Sequence, residues 1–155
     1  IQRWHYLRHV LRAFRTYRFP PIQLAHLTGA PHAGKHPNNR ADMMSCHLAM
    51  AFNLPRYAMG LPFANEADGQ DGCLHVVTFQ HSGPWQAFRD LVRVSRHTHV
   101  HQDDVHHSRM RRLRMESPDG DRVPVQVDGD YAGRLPIEVE VLPQRVTLVS
   151  PRLPA

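Results

Sequence analysis

The sequence predicts a mainly β domain: a distorted β-sandwich with an N-terminal helix and one inserted helix. Three observations carry this. From Val123 to Pro143, two runs that alternate apolar and polar residues flank Asp128-Gly129-Asp130. Alternation at a period of two marks strands buried on one face, and Asp-Gly is a strong signal for the tight turn between them. Cys73 to Gln80 and Met110 to Glu116 are further apolar or alternating runs, the second followed at once by turn residues. No strand–helix–strand series recurs, so a doubly wound nucleotide fold is not expected.

Taken in order, residues 2–18 read as a helix. At roughly 100° per residue, Arg8, Arg12 and Arg15 share one face, with Tyr6, Val10, Ala13 and Tyr17 opposite and Trp4, Leu7, Leu11 and Phe14 beside them. Phe19-Pro20-Pro21 ends it, because proline lacks an amide donor and restricts its predecessor. Residues 22–27 fit a short strand. Residues 28–43, rich in Gly, Pro, Asn and His, read as a loop. His47 to Asn53 is the next strand, followed by an irregular connection with two prolines, Pro55 and Pro62. After the Cys73 to Gln80 strand, Ser82-Gly-Pro-Trp opens a helix, with proline tolerated in its first turn. Phe88, Leu91, Val92 and Ser95 keep helical spacing to about His97. Met110 to Glu116 is a strand that buries Leu113 and Met115. Ser117-Pro-Asp-Gly-Asp reads as a hairpin turn into Val123 to Asp128, and Leu135 to Leu142 and Val146 to Val149 complete the β-rich end.

The 155 residues suffice for one domain, 1–155, with a sizeable core. A start at Ile1 rather than Met suggests a fragment or a trimmed product. No apolar run has the length of a membrane span, and no signal-peptide pattern is present. Cys46 and Cys73 form no CxxC pair and read as buried thiols of a reducing compartment, which points to the cytoplasm. The formal charge of +5 favours anionic partners. It is uneven: seven Lys and Arg residues precede Asp42, the first acid. Stacking aromatics on a sheet face are not evident, so nucleic acid is not an expected partner. Neither the P-loop nor the dinucleotide fingerprint occurs, so no nucleotide site is recognisable in the chain itself.

Four constellations could carry chemistry. Asp68-Gly-Gln-Asp71-Gly-Cys73 stands immediately before a strand. Two carboxylates in a glycine-containing loop, with backbone carbonyls freed from the ladder, can converge on magnesium or calcium; a polar loop leading into a strand explains the same residues. The Asp128-Gly129-Asp130 turn fixes two carboxylates at a strand end, as a general base requires, and a plain turn explains it equally. His97, His99, His101, His106 and His107 surround Asp103 and Asp104. They lack zinc-site spacing and read as a solvent-facing loop. The Arg8, Arg12 and Arg15 face serves either solubility or attraction to an anionic membrane or phosphate.

In their order and spacing, several of these segments resemble the C-terminal domain of the diacylglycerol kinase catalytic family, which includes bacterial lipid kinases and sphingosine kinases. The residues are Phe52-Asn53-Leu-Pro-Arg-Tyr57, Pro62-Phe-Ala-Asn-Glu-Ala67, Asp71-Gly72-Cys73-Leu74, Val127-Asp128-Gly129-Asp130 and Val139-Glu-Val-Leu-Pro143. The resemblance implies a two-domain enzyme whose nucleotide-binding domain, absent from this chain, precedes a β-sandwich. It implies ATP-dependent phosphorylation of a lipid hydroxyl with Mg2+, by a protein that is cytoplasmic or peripheral at the membrane. By position, Asp130 would accept the hydroxyl proton, and Asp68, Asp71 and the backbone of Cys73 would hold a structural metal. Two residues depart from the pattern. Asp130 stands where the family usually has Glu, shortening the reach by roughly 1.5 Å, and Cys73 replaces a common Leu. The reading from another class is a non-catalytic module that binds metal through its histidines or binds an anionic membrane.

Overall fold

The computed structural model describes residues 12, 16–27, 43–56 and 60–142. The expected N-terminal helix lies almost wholly outside the described residues. Arg12 and Thr16 are helical, and the Thr16 hydroxyl donates to the Arg12 carbonyl at 2.9 Å. The Val146 to Val149 strand also falls outside them.

The described residues form nine strands: β1 (Ile22–His26), β2 (Met43–Cys46), β3 (Leu48–Phe52), β4 (Leu74–Phe79), β5 (Val105–Met110), β6 (Arg112–Glu116), β7 (Pro124–Val127), β8 (Asp130–Arg134) and β9 (Ile137–Glu140). A single α-helix, α1 (Pro84–Ser95), and a 3-10 turn (His99–His101) separate β4 from β5. One sheet has the order β2-β1-β6-β9, a second β3-β4-β5, and β7-β8 is a separate two-stranded ribbon. All pairings are antiparallel. The chain changes sheet at two corners of one residue each, His47 between β2 and β3 and Arg111 between β5 and β6. Such corners let one run of sequence serve both layers of a sandwich.

The second sheet is the middle of three layers. Leu74 and Val76 of β4, with Met110, meet Ile22, Leu24, Leu113 and Met115 of the first sheet in one cluster. Val77 and Phe79, on the opposite face of β4, pack with Val94 of α1 and with Phe63, Ala64 and Ala67 of the preceding loop. Every residue of β4 is therefore buried. This is why Cys73 to Gln80 reads as a continuous apolar run rather than an alternating one.

The mainly β, sandwich-like domain with one inserted helix is the expected class. Leu113 and Met115 are buried as expected. Cys46 is a buried free thiol, and Cys73 is free and half-buried. Four local expectations are corrected. Met43 to Cys46, partly assigned to a loop, is strand β2, because its backbone pairs with β1. The histidine segment is only partly the expected solvent-facing loop: His97 and His101 are exposed. His99 is fully buried in the 3-10 turn, and residues from Val105 form β5 against β4. The Ser117 to Gly120 turn exists, with the Gly120 amide donating to the Ser117 carbonyl at 3.2 Å. It does not join a hairpin, since β6 pairs with β1 and β9 while β7 pairs with β8. Finally, the helix has the expected span, yet the residues it buries are Asp90 and Val94, and Phe88 and Leu91 are exposed.

Candidate active site

The ribbon β7-β8 presents Asp130. Val127 pairs with Asp130 across a two-residue turn in which Asp128 has φ 50° and Gly129 φ 100°. Left-handed conformations at both turn residues match the twist of a hairpin, and Asp-Gly tolerates them. Val123 in the core anchors the ribbon, and the Leu135 amide donates to the Val123 carbonyl at 3.0 Å to close its base. Beyond that base the ribbon is exposed: Val127 and Tyr131 flank an exposed Asp130. Among the described residues the Asp130 carboxylate has no hydrogen-bond or ion-pair partner, and no such contact links it to Asp68 or Asp71.

The Asp68 to Cys73 loop is fixed by its own carboxylates. Asp68 Oδ1 accepts the Gln70 amide at 2.9 Å, and Asp71 Oδ1 accepts the Cys73 amide at 2.8 Å. Asp71 Oδ2 accepts His75 Nε2–H at 2.9 Å and Arg109 Nη2–H at 2.8 Å. The β4-β5 register sets His75 opposite Arg109, so both reach one carboxylate from one face. The His75 hydrogen bond first, then the Cys73 amide and the Arg109 charge, hold the Asp71 carboxyl below the usual carboxylate range.

This loop can be tested as a seat for the divalent cation the resemblance implies. Such a cation takes oxygen donors. Asp68, Asp71 and the Cys73 carbonyl supply them, but both oxygens of Asp71 already accept N–H groups. The Arg109 side chain is 58 % exposed and can turn into solvent. Of the donors to Asp71, Arg109 is thus the one that can leave its oxygen open. Neither His75 nor Arg109 was among the residues the sequence singled out. The four-residue spacing from Asp71 to His75 was a visible signal; the approach of Arg109 depends on strand register and was not.

The histidines do not gather into one site, although the His99 and His107 rings lie with centroids 5.6 Å apart. His99 donates from Nε2 to the Phe63 carbonyl at 3.0 Å and so holds the Pro62 to Ala67 loop under β4. The Asn65 amide meets His97 Nδ1 at 3.4 Å, and Gln80 meets His106 at 2.7 Å. Among the described residues no three His, Cys, Asp or Glu side chains converge as metal ligands.

Sequence reasoning also missed an apolar cavity of about 580 Å³. Its walls come from Tyr17 and Phe19, from Leu48 and Met50 of β3, from Phe63 and Phe79, and from Ala87 and Leu91 of α1. Most of the walls are ordinary apolar residues, joined by Thr16 and the buried Asp90, and only the three-layer packing brings them together.

The β-sandwich thus presents a carboxylate on an exposed turn, a carboxylate-bearing loop and a largely apolar cavity. The family model for the YegS C-terminal NAD kinase beta sandwich-like domain matches residues 1–150. The chain belongs to this family. It is 30 % identical, over 105 residues, to the diacylglycerol kinases of two Mycobacterium tuberculosis strains, CDC 1551 / Oshkosh and H37Rv. That match covers 68 % of this chain and 33 % of each relative, so the chain spans about a third of their length. Among solved structures, one from Bacillus anthracis strain Sterne superposes with a TM-score of 0.58 at 20 % identity, covering 90 % of this chain and 43 % of that one. Another, a diacylglycerol kinase from the same strain, gives 0.54 at 21 % identity, covering 87 % and 42 %. At such identities the superpositions establish the fold.

Proposed function

We propose that this chain is the lipid-side domain of an ATP-dependent lipid kinase, transferring the γ-phosphate to the hydroxyl of a diacylglycerol-like or sphingoid lipid. A nucleotide-binding domain N-terminal to it supplies ATP with magnesium, which neutralises charge on the phosphates. The observation that carries the reading is Asp130: an unpartnered carboxylate on a rigid, projecting turn in a chain of this family. Its carboxylate takes the hydroxyl proton while the hydroxyl oxygen bonds to the γ-phosphorus. The bond from that phosphorus to the bridging oxygen breaks, and ADP leaves. Phosphoryl transfer asks mainly for positioning and charge stabilisation, which a carboxylate on a fixed turn provides. The apolar cavity accommodates hydrocarbon, and its volume lies in the roughly 300–1,000 Å³ range of small-molecule pockets. A divalent cation at Asp68, Asp71 and the Cys73 carbonyl stiffens the loop, exchanging with Arg109 for the Asp71 carboxylate.

The test uses the full-length protein. Asp130→Asn is expected to lower kcat by about 10²–10⁴-fold, the usual worth of a positioned base, with KM for ATP little changed. Asp130→Glu restores the more common family side chain and is expected to keep activity. Unchanged kcat in Asp130→Asn would remove Asp130 from this role.

A further inference from the structure

Three histidines clasp one loop. The Pro62 to Ala67 segment packs against β4 and lends Phe63 to the cavity wall. The Asn65 amide donates to His97 Nδ1 at 3.4 Å, and His99 Nε2–H donates to the Phe63 carbonyl at 3.0 Å. The Glu66 carboxylate lies close enough for its charge to act on His107. His97, Glu66 and His107 are exposed, whereas His99 is fully buried.

The chemistry of His99 is set by its carbonyl partner. A carbonyl only accepts, so Nε2 carries the proton, and in the neutral ring Nδ1 is then a bare lone pair. That Nδ1 is buried and, among the described residues, has no hydrogen-bond partner. A buried acceptor left unpaired is costly, and native folds keep few of them. Beside it lies the His107 ring of β5, with centroids 5.6 Å apart and planes tilted by 43°. His107 itself makes no hydrogen bond among the described residues. With Zn–N bonds of about 2.0–2.1 Å, two imidazoles on one tetrahedral ion have centroids roughly 5 Å apart. The carbonyl at Nε2 is also the usual outer partner of a metal-bound histidine, because it fixes the tautomer and raises the basicity of the opposite nitrogen. Imidazole suits zinc, copper and nickel rather than the hard cations that the Asp68 to Cys73 loop would take.

We propose that His99 Nδ1 and a ring nitrogen of His107 bind one transition-metal ion of the zinc class, with water in its remaining positions and the Glu66 carboxylate nearby. The ion ties the 3-10 turn to β5 and, through the His99 hydrogen bond to Phe63, braces the loop that walls the cavity. Two protein ligands make the site exchangeable, unlike the closed four-ligand sites of structural zinc. The site is separate from the Asp68 to Cys73 loop, and it requires neither Asp130 as a base nor a lipid as substrate.

Calorimetric titration of the tag-free, full-length protein with zinc chloride, in excess magnesium, tests it. Wild type is expected to bind zinc and to melt at a higher temperature with it, since an ion that binds only the folded state stabilises that state. His107 is exposed, so His107→Ala should keep the zinc-free melting temperature. It should weaken zinc binding at least about tenfold, because even an outer partner of a metal ligand is worth about 10–100-fold. His101→Ala removes another exposed histidine of the same turn and should bind zinc like wild type. Asp71→Asn should do the same, which separates this site from the carboxylate loop. The direct readout is the nitrogen NMR spectrum of the imidazoles: zinc should shift Nδ1 of His99 while Nε2 keeps its proton. Wild-type zinc affinity in His107→Ala would overturn the proposal, as would zinc binding that leaves the His99 Nδ1 resonance in place. So would a His99 that carries protons on both nitrogens in the metal-free protein at neutral pH, since such a ring offers no ligand.

Discussion

Asp71 shows how one side chain serves fold and chemistry together. A short loop before β4 would leave its carboxylate in water, yet the Cys73 amide, His75 and Arg109 all donate to it. Arg109 is the exchangeable partner, being exposed, while His75 is buried. Arg109→Gln is therefore expected to strengthen magnesium or calcium binding in calorimetry, and Asp71→Asn to abolish it. Equal affinity in wild type and Arg109→Gln would show that Arg109 does not compete for the site. The carboxylates themselves were readable from Asp68-Gly-Gln-Asp71, because glycine and acids before an apolar run announce a loop entering a strand. Their partners were not, because His75 and Arg109 meet only through the β4-β5 register. Burial of Leu113 and Met115 was readable because one face of β6 alternates. His99 was misjudged because a histidine-rich run looks hydrophilic, whereas its ring fills the space beneath Phe63 and spends a nitrogen on that carbonyl.

Local pattern identified most strands, the inserted helix and the Asp128-Gly129 turn, and it failed where pairing or packing decides. β2 has little strand signal of its own and exists because β1 accepts it. Helical spacing fixed the span of α1 but not its inward face, which carries Asp90 and Val94 beside the ion pairs to Asp104 and leaves Phe88 exposed. In the ribbon β7-β8 the Asp-Gly turn matches the pattern, but its second strand, Asp130–Arg134, was not legible, because the alternating run after Leu135 is β9 and pairs with β6; the ribbon makes an unusual prediction. Gly129 has φ 100° and open space around it, so Gly129→Ala meets no clash and still suffers backbone strain. The expected cost is about 1 kcal/mol. Because most of the ribbon lies outside the core, the strain should disturb the turn more than the sandwich. A fall in kcat of the full-length protein with little loss of melting temperature is expected. A large thermal loss with kcat preserved would place the ribbon in the core of stability instead.

In the molecule as a whole, two sheets and a helical layer leave the ribbon, the Asp71 loop and the cavity accessible. The class was predictable from alternating runs and from the lack of strand–helix–strand repeats. The sheet order β2-β1-β6-β9 was not, because it pairs strands far apart in sequence. Family membership rests on residues 1–150, and the chain spans about a third of its curated relatives. The phosphotransfer account therefore concerns the complete protein. Its most direct test is transfer of label from γ-labelled ATP to diacylglycerol or a sphingoid base in mixed micelles with magnesium. The account predicts label in the extracted lipid with the full-length protein and a rate lower by about 10²–10⁴-fold with Asp130→Asn. A folded full-length protein that transfers label to neither lipid would contradict it.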